Sequence, residues 1–558
     1  MVKEDTCMSP YDAKPWLAAY DDRMKAAEIP EATTVPSAFR RTARRSPDAT
    51  AIAYFDGRMS YREVDELSDG IARHLIASGF APGDRLALIL QNIPQFVLAL
   101  LGAWKAGGIV VPVNPMYRER ELRHVFGDAG VRAVVCSQSG WNRRVAPLVP
   151  GSGVKIALTT SELDLQTRDD PRVFGRSVRE PTPGAADLLK VARAAAGGPP
   201  PDLASGLDDV ALISYTSGTS GTPKGAMNTH GNLGANAAVL STFSGLGEGA
   251  TLFGLAPLFH ITGMVCEIAS AIDIGGTLAL AYRFEPGVVL DAFLEHKPAY
   301  TVGPSTAYMA LMAQPDVGRR HFESFQLLYS GGAALPPAVV DVFRERFGHY
   351  IHNGYGLTET TAGCIVVPGS LEAPIDEESG TISIGLPVPG TVVRILGEDS
   401  EELPFGEAGE IAVEGPMVIP GYWNRPEATE AALPGGRLLT GDIGFMDPRG
   451  WVYVVDRKKD MINASGFKVW PREVEDVLYT HPAVREAAVV GVPDDYRGET
   501  VKAYVSPAPG STPDPGDLVA FCKERLAAYK YPRVIEVLDE LPKTVSGKIL
   551  RRELRARG

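Results

Sequence analysis

The apolar positions fall into short blocks whose spacing alternates between two periods. Val64, Leu67, Ile71 and Leu75 recur every three to four residues and mark one face of a helix. Ser60 and Glu63 form an S-x-x-E capping pattern at its start, and Gly79 ends it. "RLALIL" then reads as a strand, "FVLALLGAWKAGG" as a helix and "IVVPV" as another strand. Such alternation predicts an α/β fold of mostly parallel sheets covered by helices. Roughly the first 35 residues lack periodicity and are expected to form a loose arm. From about 181 to 207, "PTPG" and "AAAGGPPP" predict a surface loop or linker. "DVALISYT" reads as a buried strand running into "YTSGTSGTPKG" (215–225), with Thr229 placed to cap a helix beyond it. A further boundary is expected near 455–460, where "GWVYVVDRKKD" ends a β-rich stretch in charge. The remainder has helix signals ("PREVEDVLYTH") and strand signals ("EAAVVGV", "KAYVSP") of its own, enough for a small α+β domain.

Length agrees with that division, since 558 residues exceed the roughly 300 that one core supports. The net charge of −13 argues against nucleic acid or an anionic membrane as a general partner. An anionic ligand must then be attracted by local amides, lysines or a metal. The five cysteines (Cys7, Cys136, Cys266, Cys364, Cys522) are odd in number and have no metal-site spacing, so a reduced, cytoplasmic setting is expected. "MVKEDTCMSP" lacks the apolar stretch of a signal peptide. "LALILQNIPQFVLALLGAW" is interrupted by Gln91, Asn92, Pro94 and Gln95, so it reads as strand, turn and buried helix rather than an integral membrane span.

The stretch 215–225 carries the chemistry. Its glycines let backbone N–H groups face an anion, Thr216, Ser217, Thr219, Ser220 and Thr222 add hydroxyls, and Lys224 adds a charge. It is not a P-loop, because Pro223 stands where that pattern has its last glycine and no Ser or Thr follows the lysine. A flexible polar linker is the competing reading.

"YTSGTSGTPKG" resembles the signature loop of the adenylate-forming superfamily, which contains acyl-CoA synthetases, peptide-synthetase adenylation domains and beetle luciferases. "GYGLTET" (354–360), "TGD" (440–442), "DRKKDMINASGFKVWPREVE" (456–475) and "PKTVSGKILRREL" (542–554) resemble that family's later motifs, in the same order. The likeness runs from about residue 35 to 555, and the ordered set is far more specific than any one motif. It implies a large N-terminal domain of helix-covered sheets with a β-barrel-like subdomain (1–458), and a small mobile α+β domain (459–558) hinged near Lys459.

The resemblance also implies a two-step reaction. A carboxylate attacks the α-phosphate of ATP and expels pyrophosphate; a thiol then attacks the acyl-adenylate and expels AMP. Thr216, Ser217, Gly218, Thr219 and Lys224 would close over the β- and γ-phosphates. Gly331, Gly332 and Ala333 of "YSGGAALP" would back the adenine, with Tyr355 stacked on it and Gly356 beside it. Thr358 would bond the α-phosphate and Glu359 would help hold Mg2+, a hard cation that takes few carboxylates. Asp442 and Arg457 would hold the ribose. Lys548 would bridge the carboxylate and the α-phosphate in the transition state, Lys543 fitting that place less well. Rotation about Lys459 would withdraw Lys548 and bring in "ASGFKV", with Gly466 lining a pantetheine tunnel. His260 of "PLFHITG" would gate acyl and thiol sites; Ile261 replaces a second histidine that some relatives carry.

No aspartate stands where amino-acid-activating relatives have one around 257–263. The following "GMVCEIASAI" is apolar except for Glu267, expected to face away or pair locally. A hydrophobic acid is therefore expected, either a medium or long fatty acid or a bulky ring acid. The leading reading is an acyl-CoA ligase using ATP, Mg2+ and coenzyme A, with a homodimer compatible. An acyl-AMP ligase delivering to an acyl carrier protein is second, and a non-enzymatic nucleotide-binding module third.

Overall fold

The computed structural model describes residues 9–26, 33–201, 205–216, 223–377, 380–457, 460–464, 467–494, 498–544 and 547–557. The helix Tyr61–Ala77 begins with both bonds of the Ser60–Glu63 capping box. Val64, Ile71 and Leu75 are buried on its inner face, and Leu67 is partly buried. Pro94–Lys105 is a helix buried along all twelve residues, as an apolar run without a polar face requires. Its Lys105 ammonium is fully enclosed and balanced by Asp65 (2.5 Å) and Asp69 (2.8 Å), the pairing that makes a buried charge tolerable.

This helix lies between two large sheets. One has seven strands, ordered Ala186–Asp187, Ile156–Thr160, Val131–Ser137, Arg85–Ile89, Ile109–Pro112, Val210–Thr216 and Lys224–Thr229. The other has nine, ordered Leu386–Pro387, Ala362–Val366, Ile351–Leu357, Leu327–Gly331, Tyr300–Gly303, Thr251–Phe253, Thr277–Leu280, Thr50–Tyr54 and Gly57–Ser60. Both are parallel through the centre, with antiparallel strands added at edges. The β-rich region that follows is an antiparallel sheet of four strands, Val392–Leu396, Gly409–Glu414, Leu438–Met446 and Val452–Arg457. A last sheet, within residues 462–537, packs helices Pro471–Tyr479 and Pro515–Arg525 over a separate small core. The fold is thus α/β, with a large N-terminal part and a small α+β C-terminal part. Among the described residues no helix is long and apolar enough to cross a membrane.

Three expectations need correction. The described part of the N-terminal arm is not loose: Tyr11, Trp16, Tyr20 and Met24 are buried. The Tyr11 hydroxyl donates to the Leu403 carbonyl (2.7 Å), and Asp12 pairs with Arg394 (2.6 Å). The arm is pinned by isolated aromatic anchors, which leave no periodic pattern. The stretch 181–207 is not all loop either. Residues Leu188–Ala194 form a helix capped by Asp187, and Gly70 approaches it so closely that a Cβ would stand 2.1 Å from the Ala192 carbonyl oxygen. Finally, the stretch after Thr216 does not lead from strand to helix. It joins Val210–Thr216 to the antiparallel strand Lys224–Thr229, and only then does helix His230–Ser244 begin, capped by Thr229.

Candidate active site

One cavity of about 990 Å3 opens at the C-terminal ends of the central strands, where open parallel sheets bind ligands. Thr216, Lys224, His260, Gly331, Gly332, Tyr355, Gly356, Thr358, Glu359 and Lys548 all line it. Ala333 follows the two glycines but lies outside that lining. Ser217, Gly218, Thr219, Gly466 and Lys459, the expected hinge, lie outside the described residues, as does the side chain of Arg457.

The strand Ile351–Leu357 carries the segment 354–357 into the cavity and ends in the turn Thr358–Thr360. Gly356 is obligatory there, since a Cβ would come 1.7 Å from the Ala362 carbonyl oxygen. The chain turns back through Thr361 (φ 50°) and Ala362 (φ 82°), a strained pair of non-glycine residues held by what surrounds them. Two buried amides do the holding. Asn228 Nδ2 donates to the Thr358 carbonyl (2.9 Å) and to Thr361 Oγ1 (3.0 Å), and Asn236 Nδ2 donates to the carbonyls of Thr360 (3.3 Å) and Gly363 (3.0 Å). Thr358 and Glu359 are thereby fixed before any ligand arrives.

Tyr422, which the sequence did not single out, joins two residues that it did. Its hydroxyl donates to Glu359 Oε1 (2.8 Å), and its ring lies under the Lys224 ammonium at 4.9 Å. A carboxylate and a lysine thus face the same end of the cavity. Among the described residues no group of three or more His, Cys, Asp or Glu converges. Glu359, a hard oxygen donor with one oxygen engaged by Tyr422, suits Mg2+, which keeps most of its waters and takes one or two carboxylates. The base of the loop 215–225 is held from outside by His124, whose Nε2 lies 3.2 Å from the Pro223 carbonyl, and by Asp128, which accepts from Tyr215 (2.6 Å) and Arg425 (2.5 Å).

The Tyr355 hydroxyl donates to Asp442 Oδ2 (2.7 Å); Asp442 itself lies outside the cavity lining and faces Arg457 in strand register. Gly332 has φ 76° and leaves open space above the backbone, which suits a flat ring.

Lys548 reaches the cavity from the C-terminal part. Its loop is a tight turn: the Thr544 amide donates to the Lys548 carbonyl (2.7 Å), and the Lys548 amide donates to Thr544 Oγ1 (3.0 Å). Lys543 also lines the cavity, but its ammonium is paired with Glu486 at 2.5 Å. His260 lines the same cavity, within reach of the Lys548 charge. Burial, and then the Lys548 charge, lower its pKa to about 4, so the imidazole is neutral at physiological pH.

The loop carrying His260 is clamped by two residues whose role the sequence did not reveal. Asn92 donates to the carbonyls of Gly254 (2.9 Å) and Ala256 (2.8 Å) and accepts from the Leu258 amide (2.9 Å). Glu267 does not face away: it is fully buried, pairs locally through Oε1 with the Ala256 amide (2.9 Å), and its Oε2 has no hydrogen-bond partner among the described residues. Burial raises its carboxyl well above the ordinary 4.5, so the folded protein holds it neutral. In the unfolded chain it ionises above pH 4.5, so the folded state binds the extra proton and stability falls as pH rises from there. Glu267→Gln, a neutral isostere, is therefore expected to melt higher than wild type at pH 7.5. The gap should shrink as pH approaches 4.5; a gap that is constant with pH, or reversed at pH 7.5, contradicts a neutral Glu267.

One cavity lined by a cation, a carboxylate, open glycine backbone and a lysine from the C-terminal part has the parts a nucleotide-dependent adenylating site needs. Residues 39–423 match the family described as AMP-binding enzyme, and residues 473–548 match the AMP-binding enzyme C-terminal domain. The chain belongs to the AMP-binding enzyme family, within the adenylate-forming superfamily, and is an acid–thiol ligase of the AMP-forming class, whose cofactors are ATP, Mg2+ and coenzyme A. It is 37% identical to a long-chain-fatty-acid–CoA ligase of Bacillus subtilis (strain 168), over 97% of each chain. It is 38% identical to a feruloyl-CoA synthase of Amycolatopsis sp, over 93% of this chain and 97% of that one. Among solved structures, an anthranilate CoA ligase in complex with anthranoyl-AMP superposes with a TM-score of 0.85 at 26% identity, covering 95% of this chain and 98% of that one. ATP-bound MatB from Rhodopseudomonas palustris gives 0.82 at 28% identity, covering 94% and 99%.

Proposed function

We propose that the chain converts a hydrophobic carboxylic acid to its acyl-adenylate with ATP, and then to the CoA thioester, in this one cavity. The observation that carries the reading is the polarity of that cavity. Lys224 and Glu359, bridged by Tyr422, line it together with Lys548, and so do the apolar Leu240, Phe243, Val302 and Val366. The charged groups suit a triphosphate and the apolar ones an acyl group. The names of the relatives, a fatty-acid ligase and a feruloyl-CoA synthase, agree with a hydrophobic acid but differ on its kind.

In this reading Lys548 holds the carboxylate against the α-phosphate and stabilises the charge that builds as the new bond forms and pyrophosphate leaves. Thr358 donates to the α-phosphate, Lys224 and the hydroxyls of 216–222 hold the outgoing phosphates, and Asp442 holds the ribose. Mg2+ at Glu359 would neutralise charge on the phosphates. Neutral His260 would stand where carboxylate and thiol meet and adds no positive charge to compete with Lys548. The boundary at 458–459, with rotation about Lys459, belongs to the same proposal, as does a cytoplasmic site of action.

Purified protein with ATP, Mg2+, CoA and a hydrophobic acid is expected to release AMP, pyrophosphate and free acyl-CoA in equal amounts. AMP and pyrophosphate without free acyl-CoA, with the acyl group appearing on an added carrier protein instead, would favour delivery to a carrier.

A further inference from the structure

The cavity lining includes a tyrosine hydroxyl for which the described residues supply no hydrogen-bond partner. Tyr300 opens the strand Tyr300–Gly303, and it lines the cavity together with Val302 two residues on. Alternate residues share a face of a strand, so Tyr300 lies one side-chain step below Val302 and three residues, about 10 Å, from the glycine at the strand's end. It is 95% enclosed, being 5% exposed. Its ring packs against Tyr329 at 5.8 Å, yet its hydroxyl has no hydrogen-bond partner among the described residues. Its neighbours differ in this: the Tyr329 hydroxyl donates to the Val367 carbonyl (2.8 Å) and the Tyr308 hydroxyl to the Tyr329 carbonyl (2.7 Å). Burial and the nearby Cys266 thiol push the Tyr300 hydroxyl well above its usual range, so it remains an O–H donor at any physiological pH. Cys266 lines the same region from the π-helical turn Gly263–Ala269.

A buried hydroxyl left unpaired costs free energy unless something in the cavity meets it. Phenylalanine would fill the same space without that cost. Sites built to bond a substrate oxygen reject the analogue that lacks it, because the protein group is then stranded.

We infer that Tyr300 is a specificity residue that reads a hydrogen-bonding oxygen on the acid, remote from its carboxylate. The inference rests on the acid-activating reading above and sharpens it. The substrate class becomes acids that are apolar along their length but carry a hydroxyl near the far end, either a ring acid with a phenolic oxygen or a chain acid with a terminal one.

The test compares kcat/KM for pyrophosphate release within two matched pairs: para-hydroxycinnamic against cinnamic acid, and omega-hydroxyoctanoic against octanoic acid. Full-length wild type is expected to prefer the oxygenated member of one pair by about tenfold or more, the size of one satisfied hydrogen bond at an otherwise stranded group. The pair that shows the preference identifies the source of the oxygen. In Tyr300→Phe that ratio should collapse toward one, while the melting temperature and the ratio within the other pair hold. Similar rates for both members of both pairs retain the activity and overturn the inference, leaving water as the partner of Tyr300. A preference that persists in Tyr300→Phe also overturns it. Absence of pyrophosphate release with all four acids removes the acid-activating reading and the inference with it.

Discussion

Lys548→Ala is expected to lose acyl-adenylate formation by on the order of a hundredfold to a thousandfold, the effect of removing a group that acts on transition-state charge. Thioester formation from supplied acyl-adenylate should stay close to wild type. The split follows from the geometry. Lys548 stands at the end of a turn in the C-terminal unit and lines the cavity with His260, near enough for its charge to depress the imidazole. Lys543, the other lysine in the loop, is committed to Glu486 and cannot substitute without breaking a pair whose acid is almost fully buried. Equal losses in both half-reactions would show that Lys548 holds the fold or the substrate in general, not the adenylation step.

Gly547→Val should reproduce much of that loss with Lys548 intact. Gly547 has φ 82°, a region valine avoids, and it docks against the N-terminal part: Thr306 Oγ1 donates to its carbonyl at 3.3 Å. A Cβ there would come 2.5 Å from Thr306 Oγ1 and 3.0 Å from Pro304 Cγ. The turn must then back away, carrying Lys548 with it. A shift of about 1 Å in a reacting group is enough to lower the adenylation rate by about a hundredfold. Because the contact exists only when the two parts are docked this way, the thioester half-reaction should be spared. If the variant adenylates at the wild-type rate, the Thr306–Gly547 contact does not position Lys548.

How much of this was legible in the sequence depends on the range of the interaction. The helix 61–77, the strand–turn–helix at 85–105 and the Thr229 cap are encoded within a few residues, and periodicity with capping reveals them. The arm at 9–26 is held by single aromatics against strands almost four hundred residues away, so its local pattern is empty. The ordered motifs brought Lys224, Thr358, Glu359 and Lys548 to one cavity on paper, and the fold does the same in space. Tyr422 and Asn92 escaped notice because each acts through one hydroxyl or amide whose partners are distant in sequence, and Tyr300 because its hydroxyl bonds to none of the described residues. For Glu267 the sequence left two readings open, facing away or pairing locally; the fold takes the second, where a backbone amide and protonation together make burial tolerable.

The central claim is that an acyl-adenylate forms in this cavity before any thiol takes part. Wild-type enzyme mixed with ATP, Mg2+ and a hydrophobic acid, without CoA, then acid-quenched and analysed by mass spectrometry, tests it directly. Bound acyl-adenylate and pyrophosphate should accumulate together, in amounts comparable to the enzyme, and convert to acyl-CoA and AMP when CoA is added. ADP and phosphate as products, or no adenylate until CoA is present, would contradict the account.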